Sequence, residues 1–397
     1  MTAEPASLEQ LLAAKEILVC CGSGGVGKTC TAAAAAAMAA VSLGGKVLVL
    51  TVDPARRLAD ALGLAGLGNT ERAVPEEAFK RAGVEPRGEL WAAMIDTKQS
   101  WDELVNDHAP DRATARRIIE NPLYRTISGR FVQSHEYIAM ERLYQAHSSG
   151  RYDLIVVDTP PTRNAVDFLA APDRMADFFS SRLLRWLTVP SRSRMVNMAT
   201  RPFYQVAERV LGSQFLQDIT EFFLLFQTMY SGFVDRARAV TRLLHDRRTT
   251  FLVVTTLEPA PLREAELFVS ALADQRFHLG ALVLNKVLPA YLLDPAASRV
   301  AERLCAEAPA LAERLGEGPD ADEPERLAPP AVARVLRVVA ESFLNFSVVA
   351  KREAEQRAEL ARVPNVMVSV PYFDSDIYEL AGVLRLGHVL WGATATA

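Results

Sequence analysis

Residues 19–31 read VCCGSGGVGKTCT, and the meaning of this stretch governs how the rest of the chain is read. An apolar run, EILVCC at 16–21, leads into it, and an alanine-rich run at 32–37 leaves it. A strand that ends in a glycine loop and resumes as a helix aims backbone N–H groups at an anion. The residues from Gly22 to Thr29 satisfy G-x-x-x-x-G-K-[ST], so Gly24, Gly25, Val26, Gly27, Lys28, Thr29 and Cys30 form the expected phosphate cradle. In it Lys28 reaches the β and γ phosphates and the Thr29 hydroxyl ligates Mg²⁺. The alanines that follow let the helix lie close against a sheet and hold its N-terminus at the phosphates.

Working outward, comparable runs recur at 46–52, 89–95, 152–158, 250–256, 280–285 and 365–370, separated by longer helical patterns. Several are apolar throughout, as strands covered on both faces are. The expected fold is α/β, a doubly wound, mainly parallel sheet of P-loop NTPase type in a single domain over 1–397, with an inserted helical subdomain. That insertion is 163–248, which contains DFFSSRLLRWL and EFFLLFQTMYSGF and offers a candidate client or partner surface. A second helical excursion is expected at 290–362, interrupted by an acidic, proline-bearing stretch at 316–330 that reads as an exposed loop.

In such sheets ligands lie beyond the carboxyl ends of the strands. Asp53 follows the second run, where its carboxylate can orient or deprotonate a water, or cap the helix that begins near residue 55. Asp158 ends the run YDLIVVD, the expected place of an aspartate that holds Mg²⁺ directly or through water. The TPPTRN loop that begins at Thr159, with Pro160, Thr162 and Arg163, is placed to respond to a γ-phosphate. Asn285 with Lys286, and Pro371, Tyr372 and Phe373, close two later runs; they are either adenine contacts or ordinary strand exits.

Composition narrows the partners. The chain has 397 residues, half of them hydrophobic, and a formal net charge of −4, which gives no general attraction to nucleic acid or an anionic membrane. The N-terminus has no signal-peptide pattern and no apolar run reaches membrane-spanning length, so a cytoplasmic protein is expected. The four cysteines, Cys20, Cys21, Cys30 and Cys305, include no Cys-x-x-Cys pair, and a zinc site is not expected. The remaining histidines show no catalytic spacing.

With these motifs in order, the chain resembles, over nearly its full length, the ATPase family that holds the ArsA arsenical-pump subunits and the guided-entry factor for tail-anchored membrane proteins. The family's GKGGVGKT, DPA, DTAPTGH and PLF-like segments correspond to GSGGVGKT, DPARR, DTPPTRN and VPYFD here. The resemblance implies an ATPase with ATP and Mg²⁺ as cofactors, Asp53 and Lys28 as catalytic residues and Asp158 as the magnesium-linked one. It also implies Asn285 and the 371–373 segment as adenine contacts.

The departures are specific. Ser23 replaces a signature lysine that crosses to a partner subunit's phosphates, and Arg56, Arg57 and Arg163 stand at switch positions where one could supply the missing charge as an arginine finger. The subunit-bridging zinc cysteines and an arsenite-type cysteine set are missing from this sequence. The leading expectation is an ATP-driven switch, working as a homodimer or as a heterodimer with a homologous ATPase, that binds a hydrophobic or membrane-protein client. It would be peripheral to the membrane only through a partner or carrier. The alternatives are the catalytic subunit of an anion or metalloid efflux pump, and a hydrolysis-poor nucleotide module completed by a lysine-bearing homologue.

Overall fold

Val19 pairs in parallel with Val157 on one side and with Phe251 on the other, so the strand that delivers the glycine loop lies in the middle of the sheet. The computed structural model describes residues 7–53, 57–128, 134–159, 170, 174, 177, 213–316, 328–360 and 366–392. Among them eight strands form one sheet: β1 (Ile17–Cys21), β2 (Lys46–Thr51), β3 (Arg72–Ala73), β4 (Glu89–Met94), β5 (Leu154–Asp158), β6 (Thr249–Thr255), β7 (Leu279–Val287) and β8 (Val366–Pro371). Their order is β3-β4-β2-β5-β1-β6-β7-β8. Every neighbouring pair is parallel except β3 with β4.

Seven of these strands fall on the apolar runs, because a strand covered on both faces needs uninterrupted apolar side chains. β3 does not: both its residues are exposed and it lies at the sheet edge. Alternation along β1 sends Ile17, Val19 and Cys21 to one face and Leu18 and Cys20 to the other, each face carrying its own core. Cys20 and Cys21 are buried, and burial pushes the Cys21 thiol up to about 12, which makes it an inert core residue.

The face holding Cys20 is covered by the helix Lys28–Met38, in which every residue from Thr31 to Met38 is buried. Small side chains allow this close approach. The helix Leu380–Leu390 crosses it, and Gly387 permits the contact: a Cβ there would lie 2.2 Å from Met38 Cγ. The opposite face carries a helical layer that includes Thr97–His108, Ser134–Ser148, Ser213–Gln227 and Tyr230–His245. Its aromatic centre joins Trp101, Tyr137, Phe226 and Phe233, with ring centroids 5.1 to 6.2 Å apart in the contacts between them. Beside it Glu141, 2 % exposed, pairs with Arg236 Nε at 3.3 Å.

Beyond β7 the helices Pro295–Gly316 and Pro329–Leu360 pack against each other. Glu353 Oε2 accepts from the Leu288 N–H at 3.2 Å and ties this hairpin to the end of β7. Residues 163–169 and most of 171–212, the first part of the expected helical insertion, lie outside the described residues, as does 317–327 of the acidic stretch. No helix among the described residues is long and apolar enough to cross a membrane.

Candidate active site

The glycine loop leaves β1 with Gly22, Gly25 and Gly27 at φ of +147°, +80° and +96°. These are left-handed conformations that a side chain resists. Gly22 also needs the space: a Cβ there would meet the Val254 carbonyl oxygen at 2.1 Å. Gly27 caps the helix Lys28–Met38, so Lys28, Thr29 and Cys30 form its first turn, where N–H groups lack helical acceptors and the helix dipole favours an anion. Lys28 is 6 % exposed and donates from Nζ to the Ser23 carbonyl at 2.7 Å. Burial lowers its pKa, and the carboxylate of Asp158 opposes that shift.

Asp158 is the hub. It is 1 % exposed at the end of β5, and the sheet order puts β5 between β1 and β2. Its Oδ2 accepts from Thr29 Oγ1 at 2.8 Å and from Thr51 Oγ1 at 2.8 Å. Burial raises its pKa to about 6, against the pull of both hydroxyls and of Lys28. Asp53 is half-buried at the end of β2, and its N–H donates to Thr51 Oγ1 at 3.1 Å. Its charge acts on both Lys28 and Asp158. The structure thus brings Lys28, Thr29, Asp53 and Asp158 together at the carboxyl ends of β1, β2 and β5.

Asn285 also arrives at the loop. Its Nδ2 donates to the Val26 carbonyl at 2.7 Å. Pro371, Tyr372 and Phe373 leave β8, three places from β1 in the sheet; Tyr372 is 61 % exposed and its N–H donates to the Val287 carbonyl at 3.1 Å. Phe373 is half-buried beneath Arg385, whose guanidinium carbon lies 5.0 Å from the ring centroid. Arg57 is exposed, and its charge and that of Lys286 act on the Cys30 thiol, which burial pushes upward. Arg56, Pro160, Thr162 and Arg163 lie outside the described residues.

Two threonines find their partners only in the fold. Thr51 bridges Asp53 and Asp158, and its one signal is a hydroxyl at the end of an apolar run. Thr159 closes the exit of β5 by donating from Oγ1 to the Cys20 carbonyl at 2.8 Å. Ser23 keeps its hydroxyl buried and without a hydrogen-bond partner, so at this position the chain offers neither a cation nor an outward donor.

A strand, a glycine loop with a buried lysine, and a threonine tied to a strand-end aspartate form an arrangement built for a nucleotide triphosphate. Residues 15–308 match the family model described as anion-transporting ATPase. The chain belongs to that family. It is 27 % identical over 274 residues to ATPase ASNA1 homolog 1 of Paramecium tetraurelia, an alignment that covers 67 % of this chain and 73 % of that one. With ATPase GET3 of Malassezia globosa it shares 25 % over 294 residues, 72 % of this chain and 77 % of the relative. With a protein named as arsenical pump-driving ATPase 2 of Aquifex aeolicus it shares 26 % over 274 residues, 68 % and 79 % of the two chains. As a member of the anion-transporting ATPase family this protein is an ATPase.

The site also fits a Mg²⁺ ion. Asp158 Oδ1 is buried and has no hydrogen-bond partner, while the Thr29 hydroxyl stands beside Oδ2. An all-oxygen set of one hydroxyl and one carboxylate suits a hard cation that completes its shell with water and phosphate oxygens. Among the described residues no group of three His, Cys, Asp or Glu side chains gathers at metal-binding distance.

Proposed function

We propose that this ATPase is a switch that couples Mg²⁺-dependent ATP hydrolysis to binding of a hydrophobic or membrane-protein partner. The observation that carries this reading is the chain of contacts from Thr29 through Asp158 and Thr51 to Asp53. It links the loop that holds phosphates to the ends of β2 and β5, so a change at the γ-phosphate acts on two strand exits at once. In this reading the loop N–H groups of Gly24 to Cys30 bind the phosphates, and Lys28 turns from Ser23 to the β and γ oxygens. Thr29 and Asp158 hold Mg²⁺, which when bound neutralises charge on the β and γ phosphates. Asp53 orients the attacking water, and Asn285 with residues 371–373 receives adenine.

The whole chain, 1–397, is then one ATPase domain, and 163–248 is its partner-binding surface. Within the described part of that region Phe222, Phe226 and Phe233 are core, while Phe223, Leu224 and Leu225 stay partly exposed. The second excursion, 290–362, is an accessory hairpin. Because Ser23 carries no charge, the working unit is a dimer whose second cation comes from Arg56, Arg57 or Arg163, or from a homologous subunit that bears the lysine. A cytoplasmic protein held peripherally at the membrane by its partner is the setting this implies.

Turnover of the wild type, Asp53→Asn and Ser23→Lys tests the enzyme side. Robust turnover by the chain alone, lost by at least about 100-fold in Asp53→Asn, is expected. No turnover until Ser23→Lys is introduced would instead favour a module completed by a homologue. Capture of a hydrophobic helical peptide that differs between ATP and ADP is the expected partner result; capture indifferent to nucleotide would refute the switch. A second reading, the catalytic subunit of an anion or metalloid pump, draws on the family description and the Aquifex relative's name. Unchanged metalloid tolerance after gene deletion would remove it.

A further inference from the structure

Asn285 lies where β7 slips against β8. Leu284 is opposite Ser369, but the next paired residue is Val287, opposite Pro371, so β7 carries one residue more than its neighbour and bulges there. Lys286 holds the bulge with φ of +57°, a left-handed conformation that a lysine adopts only where its surroundings enforce it. Part of the enforcement is local: the Lys286 N–H donates to Asn285 Oδ1 at 2.9 Å. The other amide atom reaches across the sheet edge, and Nδ2 donates to the Val26 carbonyl at 2.7 Å. Gly27 makes room for it, since a Cβ on that residue would lie 2.3 Å from Asn285 Nδ2.

The Val26 carbonyl and the Gly27 N–H belong to one planar trans peptide, in which they point in opposite directions. Pinning the carbonyl on Asn285 therefore aims the Gly27 N–H the other way, as one of the donors that the phosphate cradle needs. The bond also fixes the residue that caps the helix Lys28–Met38, and with it the first turn that carries Lys28 and Thr29. We propose that Asn285 is a positioning residue for the phosphate loop, holding the Val26–Gly27 peptide in its anion-binding orientation whatever base the nucleotide carries. The proposal rests on the reading that this loop binds the triphosphate. It leaves the adenine role intact: one Nδ2 hydrogen and one Oδ1 lone pair are used here, and one of each remains for a base edge.

A ligand without a base separates the two roles. Calorimetric titration of the wild type, Asn285→Ala and Asn285→Leu with Mg·ATP and with magnesium tripolyphosphate provides the comparison. The leucine nearly preserves shape, so it decides the matter if the alanine variant does not fold. Loss of the positioning bond weakens tripolyphosphate about tenfold, the effect of one buried hydrogen bond, and ATP by at least that factor, while melting shows the variants folded at the titration temperature. Weakened ATP with unchanged tripolyphosphate would reduce Asn285 to a base contact and overturn the proposal. A wild type that binds neither ligand would instead refute the nucleotide reading of the loop, and the proposal with it.

Discussion

At pH 7 Asp158 carries a charge into a place that burial makes costly. Its pKa in the folded protein is raised to about 6 from 3.8, so between those values the folded state keeps a proton that the unfolded chain has lost. The stability contribution of this group is full below about 3.8, declines as pH rises and is gone above about 6, a loss of roughly 3 kcal/mol at about 1.4 kcal/mol per pKa unit. Asp158→Asn removes that cost. We expect the nucleotide-free variant to melt several degrees above the wild type at pH 7.5 and close to it at pH 4, while Mg²⁺-dependent turnover falls at least about 100-fold. Equal melting temperatures at pH 7.5 would contradict the buried charge. Thr51→Val removes one of the two hydroxyls on Oδ2, so ionisation of Asp158 becomes harder. The acid limb of Mg²⁺-dependent turnover should move up by about one pH unit and stability at pH 7.5 fall by about 1–3 kcal/mol. Thr51 and Asp158 are 107 residues apart in the chain, which is why a hydroxyl at a strand end did not by itself point to its partner.

At the scale of elements, the phosphate-loop helix works because it is thin. Alanines bring Lys28–Met38 onto the sheet, and Gly387 lets Leu380–Leu390 close over it against Met38. Gly387→Ala should cost about 1–3 kcal/mol by overpacking, and Met38→Ala should cost about 2–5 kcal/mol by leaving a cavity. The double variant should lose clearly less than the sum, because each change relieves the defect made by the other. Additive losses in urea unfolding would show that the two side chains do not share this space. The helix itself was readable from the glycine loop and the alanine run that follows it. Its covering helix was not assigned to it, since Met38 and Gly387 lie 349 positions apart and the small residue that permits the contact has no meaning until both helices are placed.

Across the whole molecule, the helical layer is joined by a pair that burial isolates. Glu141 on the helix leading towards β5 and Arg236 on the helix leading to β6 meet at 3.3 Å, at 2 % and 13 % side-chain exposure. Glu141→Leu leaves Arg236 uncompensated and should destabilise by about 3–5 kcal/mol. Glu141→Leu with Arg236→Met should recover most of that loss, and a double variant as unstable as the single one would argue that the pair's value lies in packing alone. Neither residue was a candidate from sequence, because a charged residue on an amphipathic helix reads as surface until its neighbours are known. The same limit held for Asn285, whose partner Val26 is 259 residues away: the sequence marked it as a strand exit or base contact, and only the bulge in β7 directed its amide to the loop.

What the sequence determined by itself is whatever local chemistry dictates. Glycines, a lysine and a threonine at set spacing define a phosphate loop, and runs apolar on both faces define strands of a parallel sheet. Two aspartates at strand ends were therefore visible as candidates. Tertiary structure decided which of them share an oxygen partner. The order β2-β5-β1 sets Asp158 between Thr51 and Thr29, and that order is invisible in periodicity, which records how apolar a residue's surroundings are but not which strand supplies them. Neighbours are chosen by how crossover helices pack over the sheet, a property of the folded whole. For this ATPase that choice turned a lysine, two threonines and two carboxylates from separate strand ends into one site.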